Sequence, residues 1–283
     1  MYRPAAHVHV LTDERYLSQR MPRLLVDGLR ARGITTRTLV AERMVQSLSS
    51  AGDGLDPWHD LRPGDVVVAR TRNRAALAML RSAERPGVTL LTPPDPIAAV
   101  RDKPRAAQVL ASHGVPTPRT WLVDSPSVLH RLPATSFPLL LKPHAGDNAR
   151  GIVLVGAAAE LDDLEWSDSM VLAQEYVESG AVDVKVYAAG GQVWAVRRPS
   201  PLTLPGRPAV VGMERVPVGP ELRRLAQACA AAFSLDLLGI DVLETSRGPL
   251  VVDVNEFPNY TGIDEAPDAV TELVTGALQG VAA

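Results

Sequence analysis

Two apolar runs near the C-terminus carry carboxylates where a sheet normally places hydrocarbon. LGIDVLE (238–244) is interrupted by Asp241, and GPLVVDVNEF (248–257) by Asp253 and Asn255. Ser246-Arg247-Gly248 joins the runs as two neighbouring strands. Side chains two apart on a strand point to one face, so Asp253 and Asn255 project together. Burying such carboxylates without a cation is costly. Oxygen ligands on one face suit a hard cation, magnesium above all when substrate phosphates complete its shell. The competing reading is that one or both carboxylates pair with arginine or lie at a sheet edge.

The cations are as uneven as the anions. Of 29 lysines and arginines only Lys103, Lys142 and Lys185 are lysine. In a chain that uses arginine wherever a fork will serve, the remaining lysines mark positions that need a compact ammonium, such as one meeting a phosphate oxygen.

Bulk properties narrow the partners. A formal net charge of -3 gives no overall attraction to nucleic acid or to an anionic membrane, so a polyanionic ligand has to meet a local cluster. The single cysteine, Cys229, lies in LAQACAAAF and reads as a buried helical thiol. The first residues lack the uninterrupted apolar stretch of a signal peptide, and no window reaches the length of a membrane span. The expectation is a cytoplasmic protein with a small-molecule carboxylate, amine or polyol as acceptor and no set oligomeric state.

Along the chain, HVHVL, a helical pattern over 15–32, ITTRTLV, DVVVAR, a helix from about Asn73 and VTLL alternate as a small open α/β layer. No GxGxxG follows a strand, so a dinucleotide fingerprint is missing. TPPDP (92–96) is a stiff break and a boundary. A helix over 102–113 follows, then the strand FPLLLKP, the loop HAGDNARG and a returning strand GIVLV. VLAQEYV precedes the hairpin DVKVYAAGGQVWAVRR, turned by Gly190-Gly191. A helix over 220–234 and a C-terminal helix from about Asp264 complete the pattern. The fold class is α/β plus α+β, with expected divisions at 1–96, 97–170 and 171–283.

Several pieces of this pattern bear polar groups that could form a site. Gly146 and Gly151 would let the loop after Lys142 wrap phosphates with its N–H groups, or simply turn the hairpin. Gln174, Glu175, Tyr176 and Val177 form a strand whose main chain could meet a flat heterocycle. Lys185, Arg197 and Arg198 lie on one hairpin. Adjacent residues face opposite ways, so Arg198, which shares parity with Ser200, is the arginine expected in a cleft. Arg70 and Arg72 stand at the carboxyl end of an apolar strand, where ligands approach open α/β sheets and where a carboxylate or phosphate could bind.

Taken together, RDKPRAAQVLASHGVPTPRTWLV, LLLKPHAGDNARGIVLV, VLAQEYVESGAVDVKVYAAGG and GIDVLETSRGPLVVDVNEFPNYTGI resemble the successive motifs of the ATP-grasp superfamily over about 170 residues. The resemblance implies an ATP-grasp fold with an N-terminal open α/β pre-ATP-grasp domain, ATP and Mg2+ as cofactors, and a cleft between two α+β subdomains. It implies that Lys103 and Lys142 contact the ATP phosphates while the 144–151 loop, with His144, Gly146 and Gly151, closes over them. Gln174, Glu175, Tyr176 and Val177 would hold adenine, and Asp183 the ribose. Lys185 would face the γ-phosphate or the acceptor, with Arg198 as the second catalytic cation, and Asp241, Asp253 and Asn255 would hold magnesium. Arg70, Arg72, Ser200 and Gly262 would face the acceptor.

Two branches are similar. The RimK-type carboxylate–amine ligases resemble this chain in KPHAGDNARGI and GPLVVDVN, although they usually carry Glu at the position of Asp253, Arg at that of Lys185 and an Asn-rich stretch where this chain has PSPLTLPGRP. The inositol trisphosphate kinases resemble it in DVKVYAAGGQVWAVRRPSPL and DVNEFPNYTG, but their phosphate-loop sequence differs. The expectation is the ligase, acting through an acyl phosphate. The alternatives are phosphotransfer to a hydroxyl and an ATP-binding module without turnover.

Overall fold

The computed structural model describes residues 6–49, 55–144, 151–180, 182–200 and 212–280. The three sheets follow from where the apolar runs fall. Strands β1 (Val8–Thr12), β2 (Thr36–Val40), β3 (Val66–Arg70) and β4 (Thr89–Leu91) pair in parallel in the order β2-β1-β3-β4. VHVLT and VVVAR are buried along their whole length, as central parallel strands covered on both faces must be. Helix α1 (Arg20–Ala31) lies on one face. Helix α2 (Arg74–Arg81), started by Asn73 Oδ1 accepting from Ala75 and Ala76 N–H, lies with Trp58 on the other.

TPPDP does not stay extended. Pro94 opens helix α3 (Pro94–Arg101), since a proline in the first turn lacks only an N–H that would have no helical partner. Helix α4 (Lys103–Ser112) follows, with Asp102 Oδ1 accepting Arg105 N–H at 3.0 Å. Both helices pack on the five-stranded sheet described below rather than on the sheet that comes next in sequence.

That next sheet, antiparallel in the order β5-β8-β6-β7, holds β5 (Thr120–Val123), β6 (Leu139–Pro143), β7 (Val153–Val155) and β8 (Val171–Glu175). The division expected at residue 170 therefore falls one strand early: Val171–Glu175 is hydrogen-bonded between β5 and β6. Alternation sorts its two faces. Leu139, Leu141, Val171 and Ala173 enter a separate small core with Leu129, Val155 and Leu161, and Leu140, Lys142, Leu172 and Gln174 face the other way.

The third sheet is antiparallel in the order β11-β10-β9-β12-β13, formed by β9 (Val182–Ala189), β10 (Gln192–Pro199), β11 (Glu214–Val216), β12 (Leu237–Thr245) and β13 (Gly248–Asn255). Gly190 and Gly191, both at positive φ, make the β9–β10 turn. Helix α5 (Pro220–Phe233) covers one face together with α3 and α4, and Cys229 is fully buried there, its thiol pushed up to about 12 by burial.

The opposite face changes character along its length. At one end Tyr187, Ala189, Trp194, Val196 and Leu237 pack with helix α6 (Ala266–Leu278), α1 and the first parallel sheet in a single core. At the other end the same strand parity presents Asp183, Lys185, Arg198 and Asp241. Tyr260 closes the apolar half. It is fully buried against Tyr187 and Trp194 and donates its hydroxyl to Ala188 O at 2.9 Å. Among the described residues no helix is long and apolar enough to cross a membrane.

Tyr260→Phe should therefore destabilise the protein by about 1–2 kcal/mol, because the Ala188 carbonyl loses its donor in a dry core. Urea unfolding of the two proteins checks this. Equal midpoints would show that the hydroxyl contributes nothing to holding α6 against the sheet.

Candidate active site

The charged end of the five-stranded sheet and the outward face of the β5–β8 sheet enclose a cleft of about 640 Å³. The carboxyl ends of β1 and β3 close one side of it through Arg15, Tyr16 and Arg72.

Its centre is Asp241. One oxygen accepts from Lys185 Nζ at 2.9 Å and the other from Arg198 Nη2 at 2.8 Å, so three adjacent strands meet in one ion cluster. Lys185 lies opposite Asp241 in the β9–β12 register. Gly239 makes room for it: a Cβ there would stand 3.3 Å from Lys185 Cε and 3.0 Å from Pro258 Cβ. Arg198 and Ser200 both line the cleft, while Arg197 turns outward to Glu244 at 3.0 Å, as alternation requires.

Asp253 is the cross-strand partner of Asp241, beside a β-bulge. It is open to the cleft, and Asn255 Nδ2 donates to its Oδ2 at 3.1 Å. Enclosure by the cleft walls, and then the charge of Asp241, raise its pKa above the usual carboxylate value, with Lys185, Lys142 and Lys103 opposing. An accessible carboxylate beside a second carboxylate and an amide oxygen is a donor set that fits a hard divalent cation. Asp241, in contrast, has both oxygens engaged by cations in this arrangement.

Lys142 comes from the facing sheet. Its Nζ donates to Gln174 Oε1 at 2.6 Å, and Gln174 Nε2 donates to Thr120 Oγ1 at 3.2 Å. Gln174 is thus the strut that aims the lysine, a role its place in QEYV does not disclose. Burial lowers the Lys142 pKa to about 8, against the supporting charge of Asp253. Lys103, in the first turn of α4, donates to His144 O at 3.2 Å. Leu140, Leu172 and Ile152 line the cleft from one side and Leu243 and Val254 from the other, leaving an apolar slot beside the charged end.

Other expected site residues fall differently. Glu175 bridges Arg119 (3.4 Å) and Arg247 (3.1 Å), tying this sheet to the β12–β13 turn, and the N–H groups of Glu175 and Tyr176 bond Arg119 O and Pro138 O. Gln174, Glu175, Tyr176 and Val177 all line the cleft. Asp183 is buried in the cleft wall. Arg70 is a buried joint rather than an open acceptor group. It donates to Phe257 O (2.8 Å), Gln19 Oε1 (2.8 Å) and Asn259 Oδ1 (2.9 Å), lies over the Tyr16 ring, and has its pKa lowered to about 10 by burial.

Arg72 does reach the cleft. Its turn is held by Asp13, which accepts from Arg72 N–H at 2.8 Å and from the Thr71 hydroxyl, an anchor that sequence reading missed. His144 and Gly151 do not line the cleft: His144 N–H donates to Asp168 Oδ2 at 2.8 Å, and Gly151, at positive φ, packs on Pro143. Gly262 lies outside it too, at positive φ where a Cβ would meet Met213 Sδ at 2.8 Å. Gly146 lies outside the described residues, as does most of the 144–151 loop.

A model of the RimK-like ATP-grasp domain matches residues 100–274. A probable α-L-glutamate ligase of Stenotrophomonas maltophilia is 30% identical over 277 residues, which span 89% of this chain and 92% of that protein. A probable α-L-glutamate ligase of Parasynechococcus marenigrum is also 30% identical, over 76% of this chain, which spans 50% of that longer protein. The fold is similar to that of the ATP-grasp ligase PsnB complexed with precursor peptide PsnA2 and AMPPNP (TM-score 0.71, 21% identity, 100% and 99% of the two chains). It is also similar to that of Bacillus anthracis D-alanine–D-alanine ligase complexed with ATP (TM-score 0.67, 15% identity, 98% and 97%). The chain belongs to the RimK-like ATP-grasp family and is an ATP-dependent ligase of the ATP-grasp type.

Lys142 is expected to titrate at about 8 in the ligand-free protein, and Asp253→Asn to lower that value further by removing a supporting charge. The pH dependence of site-specific amine acylation, read by mass spectrometry, measures both. An ordinary lysine titration would remove burial as the controlling influence on this group.

Proposed function

We propose that this RimK-like ATP-grasp protein joins a carboxylate to an amine through an acyl phosphate, using ATP and magnesium, in the cytoplasm. The observation that carries the reading is the meeting of Lys142, Lys185, Arg198, Asp241 and Asp253 in one cleft beside an apolar slot. The S. maltophilia relative supports the ligase rather than phosphotransfer to a hydroxyl, and it points to glutamate as the amine to test first.

Adenine would lie between the Leu172 and Leu243 sides of the slot, with Val177 main chain at its edge. Lys103 and Lys142 would hold the phosphates. Phosphate oxygens would compete with Asp241 for Lys185 and Arg198, and Asp241 would then join Asp253 and Asn255 as oxygen donors to magnesium. When bound, the metal would neutralise charge on the migrating phosphoryl group.

In the first step a carboxylate oxygen of the acceptor attacks the γ-phosphorus, the bond to the β-phosphate bridging oxygen breaks, and ADP leaves. In the second the amine attacks the acyl carbon, inorganic phosphate departs with the bonding electrons, and the nitrogen loses a proton to give an amide. Lys185 and Arg198 would stabilise charge in both steps, and Arg72, which lines the cleft, would orient the acceptor carboxylate.

Incubation with ATP, magnesium, candidate carboxylic acids and hydroxylamine tests the first step. A hydroxamate formed only with one acid is the expected product. A phosphorylated hydroxyl compound without hydroxamate would instead establish phosphotransfer. Asp253→Asn should lower kcat by roughly a hundredfold or more, as loss of a transition-state charge stabiliser does, while changing ATP affinity much less. Turnover equal to wild type would remove Asp253 from the machinery.

A further inference from the structure

A second group of ligating side chains sits at the amino ends of β1 and β3, away from the cleft. His7 directly precedes β1 and His9 lies within it two residues on, while Asp65 directly precedes Val66, the register partner of Val8. One ligand atom from each of His7, His9 and Asp65 lies within 4.8 Å of the others. His9 is 1% exposed; its Nε2 lies 3.4 Å from Asp65 Oδ2, and its Nδ1 has no hydrogen-bond partner among the described residues.

We propose that His7, His9 and Asp65 form a binding site for a first-row transition-metal dication, best suited to zinc, with solvent at the fourth position. Ligands about 2.0–2.1 Å from a tetrahedral zinc stand about 3.3 Å apart. His9 Nε2 and Asp65 Oδ2 are already 3.4 Å apart. Closing the third ligand atom onto them requires a side-chain movement of His7, which is only half-buried and lies at the strand's free end.

The carboxylate is held in place for this role. His7 N–H donates to Asp65 Oδ1 at 2.8 Å and Arg62 N–H to Oδ2 at 2.9 Å, supporting bonds of the kind that orient a metal-ligating carboxylate. Asp60, paired with Arg37 at 2.6 Å, adds an acidic neighbour. An imidazole buried beside a carboxylate at 3.4 Å has given up water for one long contact, and a metal ion between the two would satisfy both groups.

The two sites are chemically distinct. The cleft offers carboxylate and amide oxygens suited to magnesium, whereas two imidazoles favour zinc. Five residues of strand, about 16 Å, separate the ends of β1. The ion would tie β1 to β3 and would take no part in the reaction.

The test is titration of the full chain with Zn2+ against a chromophoric chelator, without ATP or magnesium, alongside thermal unfolding with and without the ion. The wild type is expected to bind one equivalent tightly and to melt at higher temperature when loaded. His7→Ala, at a half-buried position mild to the fold, should lose both effects while keeping ATP turnover, and Asp253→Asn should keep both. Absence of a tight equivalent in the wild type would overturn the proposal. So would its retention in His7→Ala, or its loss in Asp253→Asn, which would assign the ion to the cleft.

Discussion

Asp241 and Asp253 face each other across neighbouring strands, and two carboxylates so placed can both remain charged only among cations. This constraint organises the surrounding architecture. Lys185 and Arg198 reach Asp241 from two strands of the same sheet. The charges of Lys142 and Lys103, which also oppose the rise in the Asp253 pKa, come from the facing sheet and from the start of α4. Charges from two sheets and from the start of α4 thus meet in one small volume. Asp253 is open to the cleft, yet enclosure and the charge of Asp241 still raise its pKa against the three lysines. A site balanced in this way is poised to take up a cation together with an anionic ligand, since either alone would unbalance it.

The same sheet face also joins the N-terminal layer to the rest. Its apolar half receives α6 and, through it, α1 and the first parallel sheet. Arg70 secures the junction at the border between the apolar and charged halves. Its three bonds to Phe257, Gln19 and Asn259 connect segments nearly two hundred residues apart, with Tyr16 and Phe257 rings against the guanidinium. No carboxylate lies within ion-pairing range of it among the described salt bridges, so carbonyl and amide oxygens and ring faces carry the load of solvating a buried cation, and its pKa falls accordingly. The Arg70 side of the cleft is therefore built on a bonded junction between layers.

Much of this was legible in the sequence because the rules involved are local. A period of two places Arg198 with Ser200 and Arg197 with solvent, and carboxylates inside apolar strands announce themselves by composition. What was not legible depends on contacts between distant segments. Gln174 looks like any strand polar residue until Lys142 is brought against it from a strand thirty residues earlier. Asp13 gains its purpose only when β3 lies beside β1. Gly262 and Gly151 carry a local signal, positive φ, and a Cβ at either would crowd Met213 or Pro143, contacts that only the folded chain discloses. TPPDP reads as a break because prolines end strands and helices alike. The same residues begin a helix when they fall in its first turn.

The division of labour between lysine and arginine follows from the same geometry. Arginine occurs where a planar fork can meet several fixed acceptors at once: Arg85 donates to Ser82 O, Trp58 O and Asp56, and Arg70 to its three partners. Such a side chain is a structural member, and withdrawing one bond strains the others. Lys142 and Lys185 each send an ammonium to one side-chain oxygen at the cleft wall. An ammonium carries three donors around a single charge, so it can turn toward an arriving phosphate oxygen without moving its stem. At position 185 the stem runs close to Gly239, where a Cβ would stand 3.3 Å from Lys185 Cε. In a chain otherwise given over to arginine, Lys142 and Lys185 stand at the cleft wall with one side-chain oxygen each.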